Sequence, residues 1–272
     1  MSKVALVTGA SAGIGKDTAL LFAQNGYTVY AAARRVEKMQ DLKQAGVKLL
    51  AMDVTVEESM VKGINEILKT EKRIDVLVNN AGYGSYGALE DVPMSEARYQ
   101  FEVNVFGLAR LTQLVLPTMR QQHSGKIINV SSIGGKFGEP HGVWYHATKF
   151  AVEGLSDSLR MELKQFGIDV VVIQPGAILT EWGGIARENM LKTSGKGPYS
   201  SLVEKHARLL SNADKRGDKP IVIAKAILKA AESAHPKTRY AVGGGARPLL
   251  FVRSILSDKM MDKLMLAVYN RV

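Results

Sequence analysis

The chain has 272 residues, no cysteine and a formal net charge of +10. Its length suits a single α/β domain over 1–272, and the absence of cysteine excludes disulfides, thiolate nucleophiles and thiolate metal sites, so we expect no metal centre. Because the basic residues are interspersed with acids and form no nucleic-acid-binding motif, we expect no nucleic-acid partner, whereas the basic surface favours anionic small molecules.

The first residues enter an apolar strand pattern almost directly after Met1, without the apolar core of a signal peptide. No run of about 18 apolar residues occurs in the sequence. We therefore expect a cytoplasmic protein without stable membrane insertion.

A glycine turn, Thr8–Gly15, follows the first predicted strand at 4–7 and precedes a stretch of helical periodicity. Gly9 allows the chain to leave the strand sharply, Gly13 lets the backbone approach a ligand, and Gly15 lets the helix pack closely on the strand. The helix N-terminus then offers N–H groups and a partial positive charge to a phosphate. An ordinary tight turn is the alternative, because such turns also use glycine.

A pair of arginines ends the second predicted strand, Thr28–Ala33. In a dinucleotide-binding fold, an acid near this point accepts hydrogen bonds from the ribose 2′-hydroxyl. Arg34 and Arg35 stand here instead, and a guanidinium matches a 2′-phosphate. The pair therefore favours NADP over NAD. A solvated pair at the start of a helix is the alternative.

The next two strands are predicted at Val47–Met52 and Ile74–Val78. Asp53 and Val54 follow the first of them, where the acid either meets adenine or caps the turn. Asn79–Gly82 follows the second; its asparagines can tie neighbouring backbone together and its Ala-Gly pair leaves room for a ligand, although an ordinary turn fits too. The alternation of strands with helical patterns predicts a parallel sheet with helices on both faces.

Polar residues mark the middle of the chain. Asn104 interrupts an apolar helical face, where its side chain needs a hydrogen-bond partner and is compatible with a helix kink. The fifth strand, Lys126–Val130, ends in Ser131 and Ser132, whose hydroxyls point to opposite sides because side chains alternate along a strand. Ligands of open α/β sheets lie at this carboxyl end.

Tyr145 and Lys149 lie four positions apart at the start of a long amphipathic helical pattern, so they share a helix face. We expect Lys149 and the positive charge of an oxidised nicotinamide to lower the pKa of the Tyr145 phenol. The phenol then gives a proton to a carbonyl oxygen or takes one from an alcohol. A packed tyrosine beside a snorkelling lysine is the alternative.

Candidates for a substrate pocket lie on either side of this pair. The segment 181–219 loses the α/β alternation and gathers glycines, which predicts a substrate loop and lid. Trp182 either lines the pocket or anchors the loop. We expect His141 to be a satisfied surface residue rather than a catalyst. The pocket candidates between the serine and the tyrosine are Phe137, His141, Val143 and Trp144.

The last predicted elements are a strand at Val170–Ile173 with a turn at Gln174–Gly176, a helix at Ile221–Ala231 and a strand at Arg239–Val242. The segment 246–272 then places apolar residues at helical spacing and is predicted as a helical extension. Its apolar stripe packs on the protein or on a subunit, or touches a membrane surface with the help of its basic residues.

Three motifs together resemble the short-chain dehydrogenase/reductase superfamily: Thr8-Gly9-X3-Gly13-Ile14-Gly15, Asn79-Asn80-Ala81-Gly82 and Tyr145-X3-Lys149. The resemblance runs from the first strand to Thr180. It implies a doubly wound Rossmann fold, with a mainly parallel seven-stranded sheet between two helical layers. It also implies a nicotinamide cofactor and hydride transfer between carbonyl and alcohol groups.

The resemblance also implies roles for single residues. The family's catalytic serine lies thirteen positions before its tyrosine, which selects Ser132 to hold the substrate oxygen. Asn104 corresponds to an asparagine that supports a water-linked proton relay to the lysine. The expected catalytic residues are Asn104, Ser132, Tyr145 and Lys149. The expected cofactor-binding residues are Gly9, Ser11, Gly13, Ile14, Gly15, Arg34, Arg35, Asp53, Val54, Asn80, Ala81, Gly82, Tyr145, Lys149, Pro175, Gly176 and Thr180.

The sequence thus predicts an NADP-dependent oxidoreductase acting on CH–OH and carbonyl groups. The extension and the arginine ending of the second strand resemble hydroxysteroid- and lipid-carbonyl-reducing members, so an apolar ketone or alcohol is the expected substrate. A non-catalytic NADP-sensing regulator and an epimerase or dehydratase on the same fold are the alternatives. The resemblance further favours a homodimer or homotetramer built on the helices around Leu108–Met119 and Ala151–Leu163.

Overall fold

The computed structural model describes residues 2–271, without the side chains at positions 214 and 215. These residues form a seven-stranded sheet. Its strands are β1 (Val4–Thr8), β2 (Thr28–Ala33), β3 (Lys48–Ala51), β4 (Val76–Asn79), β5 (Gly125–Val130), β6 (Ile168–Pro175) and β7 (Arg239–Val242). Their order across the sheet is β3-β2-β1-β4-β5-β6-β7, and each neighbouring pair is parallel. The predicted doubly wound Rossmann fold is confirmed, and the direction of winding reverses between β1 and β4.

Helices connect the strands and extend beyond the last one. They are α1 (Gly13–Gln24), α2 (Glu57–Glu71), α3 (Met94–Phe101), α4 (Gly107–Gln121), α5 (Val143–Leu163), α6 (Glu181–Ser194), α7 (Ser200–Arg216), α8 (Ile221–Glu232), α9 (Ala246–Ile255) and α10 (Asp258–Tyr269). A π-helical stretch at Glu102–Phe106 joins α3 to α4, and a 3₁₀ turn at Ile133–Gly135 follows β5.

Two hydrophobic cores cover the two faces of the sheet. Because side chains alternate along a strand, Ala5 and Val7 of β1 face one core, and Val4 and Leu6 face the other. The first core contains α1 and α8, and the second contains α2 and α4. Strands buried on both faces read as continuous apolar runs, which is why the sequence located them.

The segment 181–219 differs from its prediction, since the structure has the two helices α6 and α7 where the sequence predicted a loop. α6 buries Gly183, Ala186 and Met190, three or four positions apart. Two of these residues are small, so the apolar periodicity was too weak to indicate a helix. Both helices pack into a third apolar cluster that includes Tyr145.

The C-terminal extension is helical, as predicted, and forms α9 and α10. α10 contacts α7 and buries Met261 and Tyr269. Other parts of the apolar stripe are open, since Ile255 is 64% and Met260 54% exposed. Within residues 2–271, the helices are all too short or too polar to cross a membrane.

Candidate active site

The glycine turn between β1 and α1 has a backbone that only glycine adopts easily. Gly9 and Gly13 have φ angles of 67° and 52°. A Cβ added to Gly9 would lie 2.9 Å from the Cα of Ala81, and one added to Gly15 would overlap the carbonyl oxygen of Gly9. The turn therefore presents the N-terminus of α1 across a surface without side chains, as a phosphate requires.

Asn80 ties the glycine turn to the end of β4. Its Nδ2 donates hydrogen bonds to the carbonyl oxygens of Thr8 at 2.9 Å and Gly9 at 3.3 Å. In return, the Thr8 hydroxyl accepts from the backbone N–H groups of Asn80 and Ala81. The side chain of Asn79 lies on the other side and donates to Asn129 at 2.9 Å. The two asparagines thus link neighbouring strands, as the sequence indicated.

Arg34 extends from the end of β2 with a side chain that is 63% exposed. Its Nη1 donates to the Tyr99 hydroxyl at 2.7 Å and lies 4.0 Å from an oxygen of Asp53. Asp53 accepts hydrogen bonds from the backbone N–H and the hydroxyl of Thr55 at 2.9 and 2.8 Å. The carboxylate therefore caps the turn after β3, which is one of its two predicted roles.

Arg35 is 47% exposed and points toward the glycine turn. Its Nη2 donates to the Ser11 hydroxyl at 3.3 Å and lies 3.9 Å from Glu181 at the start of α6. Both guanidinium groups lie at least 3.9 Å from the carboxylates beside them. Their positive charges are therefore available to bind an anion at this end of the cavity.

The opposite end of the site holds the predicted catalytic residues on α5 and at the end of β5. Tyr145 is buried and lines the same cavity as Ser132, whose hydroxyl lowers the pKa of the phenol. The Ser132 Oγ accepts from the N–H of Gly134 at 3.0 Å, which fixes its position. Lys149 Nζ lies 5.8 Å from the centre of the Tyr145 ring and donates to the carbonyl of Val130 at 2.9 Å.

Burial has the largest effect on the pKa values of Tyr145 and Lys149. It raises the pKa of Tyr145 to about 12, against a smaller lowering by the Ser132 hydroxyl. Burial also lowers the pKa of Lys149 to about 8. The protein groups alone therefore do not lower the phenol pKa, because desolvation dominates. The phenol is protonated at neutral pH, which suits a proton donor.

Asn104 lies in the π-helical stretch and is buried. Its Nδ2 donates to the Tyr83 carbonyl at 2.8 Å and to the Thr148 hydroxyl at 3.0 Å, and its Oδ1 accepts from the Tyr83 N–H at 2.9 Å. A Cβ added to Gly82 would lie 3.7 Å from both Asn104 Oδ1 and Lys149 Nζ. The helix irregularity thus brings an amide oxygen close to the buried ammonium.

One cavity of about 710 Å³ joins the two ends of the site. Most of the predicted residues line it: Gly9, Ser11, Ile14, Arg34, Arg35, Asp53, Val54, Asn80, Ala81, Gly82, Ser132, Tyr145, Lys149, Pro175, Gly176 and Thr180. Gly13, Gly15 and Asn104 do not line it. A glycine-rich turn, two arginines and a polar end within one cavity fit an extended nicotinamide dinucleotide.

Further residues of the cavity wall were not predicted. They include Tyr86, Glu139, Ile185 and Leu210, which lie beside the predicted Phe137 and Trp182. Tyr86 is buried, and its ring lies 5.6 Å from that of Tyr145. The sequence could have indicated Tyr86 through its position, four residues after Asn79–Gly82. For Glu139, the signal was its place between the predicted serine and tyrosine.

Three other pocket candidates lie elsewhere. Val143 and Trp144 do not line the cavity, and the Trp144 ring packs edge-on against Phe101. His141 is buried rather than at the surface, so that expectation was wrong. Its Nδ1 lies 3.2 Å from Nδ1 of His206 on α7, and burial lowers its pKa to about 4. A helix that the sequence did not predict covers His141.

Comparison with known proteins gives consistent matches over nearly all of the chain. The family model "short chain dehydrogenase" matches residues 3–190. A 3-ketodihydrosphingosine reductase of Bacteroides thetaiotaomicron is 36% identical over 96% of this chain and 95% of its own length. An NADPH-dependent 3-dehydrocapnine reductase of Ornithobacterium rhinotracheale is 34% identical over 96% and 95%. A short-chain dehydrogenase structure from Streptomyces avermitilis superimposes with a TM-score of 0.83 at 35% identity, covering 97% and 95%.

Proposed function

The chain belongs to the short chain dehydrogenase family of oxidoreductases, and from that premise we propose that it reduces an apolar, lipid-like ketone to a secondary alcohol with NADPH. The observation that carries the proposal is that Tyr145, Ser132 and Lys149 line the same cavity as the glycine turn and the two arginines.

The cofactor is held by residues from both ends of the cavity. The glycine turn and the N-terminus of α1 bind the pyrophosphate. Arg34 and Arg35 bind the 2′-phosphate, which distinguishes NADPH from NADH. Pro175, Gly176 and Thr180 line the cavity near the catalytic residues and position the nicotinamide. When bound there, the reduced nicotinamide supplies the hydride.

The protein's own groups supply the proton. The Ser132 hydroxyl holds the ketone oxygen beside the phenol, and Tyr145 donates its proton to that oxygen as the carbon is reduced. Lys149 returns a solvent proton to the phenol, and Asn104, which borders the same gap at Gly82, supports this relay as a hydrogen-bonding group. One ketone, one NADPH and one proton thus give one alcohol and one NADP⁺.

Apolar walls around the phenol support a lipid-like substrate. Phe137, Trp182, Ile185 and Leu210 line this part of the cavity. Such side chains bind hydrocarbon by removing it from water, at roughly 25 cal/mol per Å² of apolar surface. Two relatives are named as reductases of 3-ketodihydrosphingosine and 3-dehydrocapnine.

The test is a steady-state assay of the purified protein with NADPH or NADH and a panel of aliphatic ketones, steroids, aldehydes and sugars. We expect oxidation of NADPH matched mole for mole by alcohol formation, with long-chain ketones preferred. Tight NADPH binding without turnover on the whole panel supports a sensor instead. A product formed without net NADPH oxidation supports epimerisation or dehydration.

A further inference from the structure

A carboxylate lies in the wall of the cavity beside the catalytic residues. Glu139 belongs to the loop between Ile133–Gly135 and α5, and 23% of its side chain is exposed. Its Oε1 accepts from the Tyr86 hydroxyl at 3.2 Å, and its Oε2 lies 3.5 Å from the hydroxyl of Tyr269 on α10. A tyrosine from the loop after β4 and one from α10 thus hold the acid in the cavity wall.

Among residues 2–271 with described side chains, no lysine or arginine pairs with this acid. The charged partners of Glu139 are two imidazoles, with Nε2 of His146 at 3.6 Å and Nε2 of His206 at 3.9 Å. Burial raises the pKa of Glu139, but the imidazoles of His146 and His206 and the Tyr86 hydrogen bond outweigh this effect, so its pKa is lowered. The cavity therefore contains a carboxylate without a permanent cation.

This carboxylate is close to the reacting groups. Its negative charge contributes to the raised pKa of Tyr145. The rings of Tyr86 and His146, both in contact with Glu139, each lie 5.6 Å from the Tyr145 ring. Glu139 and Tyr145 thus line the same cavity and are separated by the rings of two side chains that lie beside both. Part of the carboxylate is open to the cavity, where a cation can reach it and form a charge-assisted hydrogen bond.

We infer that the substrate ketone carries a protonated primary amine on a carbon next to the carbonyl, and that Glu139 binds this ammonium. The inference rests on the proposed function and names the substrate class more closely. An ammonium donates up to three hydrogen bonds, and one to the carboxylate is charge-assisted, hence strong. The amine thus supplies the cation that the protein omits, and it fixes which face of the ketone meets the nicotinamide.

A matched pair of ketones tests the inference. Decan-3-one and freshly dissolved 2-aminodecan-3-one hydrochloride differ only in the amine. We expect the wild-type protein to show a kcat/KM about tenfold to a hundredfold higher for the amino ketone, as a charge-assisted bond implies. We also expect decylamine, but not decan-1-ol, to inhibit competitively with the ketone.

Two variants distinguish a loss of ammonium binding from a general loss of structure. Glu139→Gln should reduce the ratio of the two kcat/KM values at least tenfold, and the ratio within one variant cancels a general loss of activity. Glu96→Gln removes an equal charge from another wall of the cavity and should keep the wild-type ratio. If Glu139→Gln does not fold, the wild-type ratio and the decylamine inhibition decide the question.

Failure of this inference differs from failure of the proposed function. Equal reduction of both ketones, or decylamine inhibition no stronger than that by decan-1-ol, overturns the role of Glu139 and leaves the reductase standing. Absence of NADPH oxidation with either ketone overturns both.

Discussion

Lys149 donates a 2.9 Å hydrogen bond from its Nζ to the carbonyl oxygen of Val130. This contact holds the ammonium at the carboxyl end of β5, where burial lowers the pKa of Lys149 from 10.5 to about 8. A lysine in the unfolded chain has the ordinary value. The lysine that supports Tyr145 therefore makes folding less favourable at neutral pH.

The first prediction is a rise of stability with pH that depends on Lys149. Between pH 8 and 10.5 the unfolded chain binds more protons than the folded one, so the free energy of unfolding rises through this window, by about 3 kcal/mol in total. Tyr145, with a raised pKa, reverses the trend only above pH 10. Urea unfolding at pH 7 and pH 9.5 measures the effect.

The Lys149→Met variant should be more stable than wild type at pH 7 and should lose most of the rise. Lys259→Met, at an exposed lysine on α10, is the matched control and should keep it. A wild-type slope in Lys149→Met would show that another group causes the pH dependence.

The second prediction concerns the phenol. Tyr145→Phe removes the proton donor but keeps the ring that packs against Tyr86 and Trp182. We expect kcat to fall by about 10²–10⁴, while the dissociation constant for NADPH, measured by its fluorescence, changes less than threefold. Unchanged turnover would remove Tyr145 from the reaction.

The third prediction concerns cofactor preference. Replacing both Arg34 and Arg35 with alanine removes the two guanidinium groups that face the predicted 2′-phosphate. Each charge-assisted hydrogen bond contributes about 1.5–3 kcal/mol, so the KM for NADPH should rise at least tenfold and the KM for NADH should stay within about threefold. An equal change in both constants would mean that the arginines do not read the 2′-phosphate.

The parts of the fold that the sequence predicted are those in which local pattern and tertiary environment agree. The first four residues of β1 are apolar because both faces of the sheet are covered. The turn after the strand is rich in glycine because the helix and the strand approach so closely that a Cβ on Gly15 would overlap the backbone of Gly9. The pair Tyr145 and Lys149 is fixed by helix geometry alone.

The parts that could not be predicted depend on neighbours that are distant in sequence. Glu139 meets Tyr86, His206 and Tyr269, which come from three other segments. Nothing near Glu139 in the chain indicates those contacts. The raised pKa that the protein groups alone give Tyr145 could not be predicted for the same reason, since the depth of burial depends on how α6 and α7 pack.

The fourth prediction concerns the glycine turn. Gly15→Ala places a Cβ against the Gly9 carbonyl oxygen and the side chain of Asn80, so the turn must shift. We expect NADPH to bind at least tenfold more weakly and the melting temperature to fall. Gly184→Ala is the control, because its Cβ meets no atom within 4 Å. That helical position should gain roughly 0.5–1 kcal/mol. Equal NADPH affinity in Gly15→Ala and wild type would exclude a phosphate cradle here.

The last prediction is a dimer or larger oligomer that uses α5. Phe150 and Met161 are 47% and 70% exposed, and their separation of eleven residues, about three turns, puts them on one face. Gly154 lies between them with no atom within 4 Å of an added Cβ, so a second helix can approach closely. Light scattering should show that Met161→Glu dissociates the assembly and that Met260→Glu on α10 does not. The reverse result would place the subunit contact on the C-terminal helices.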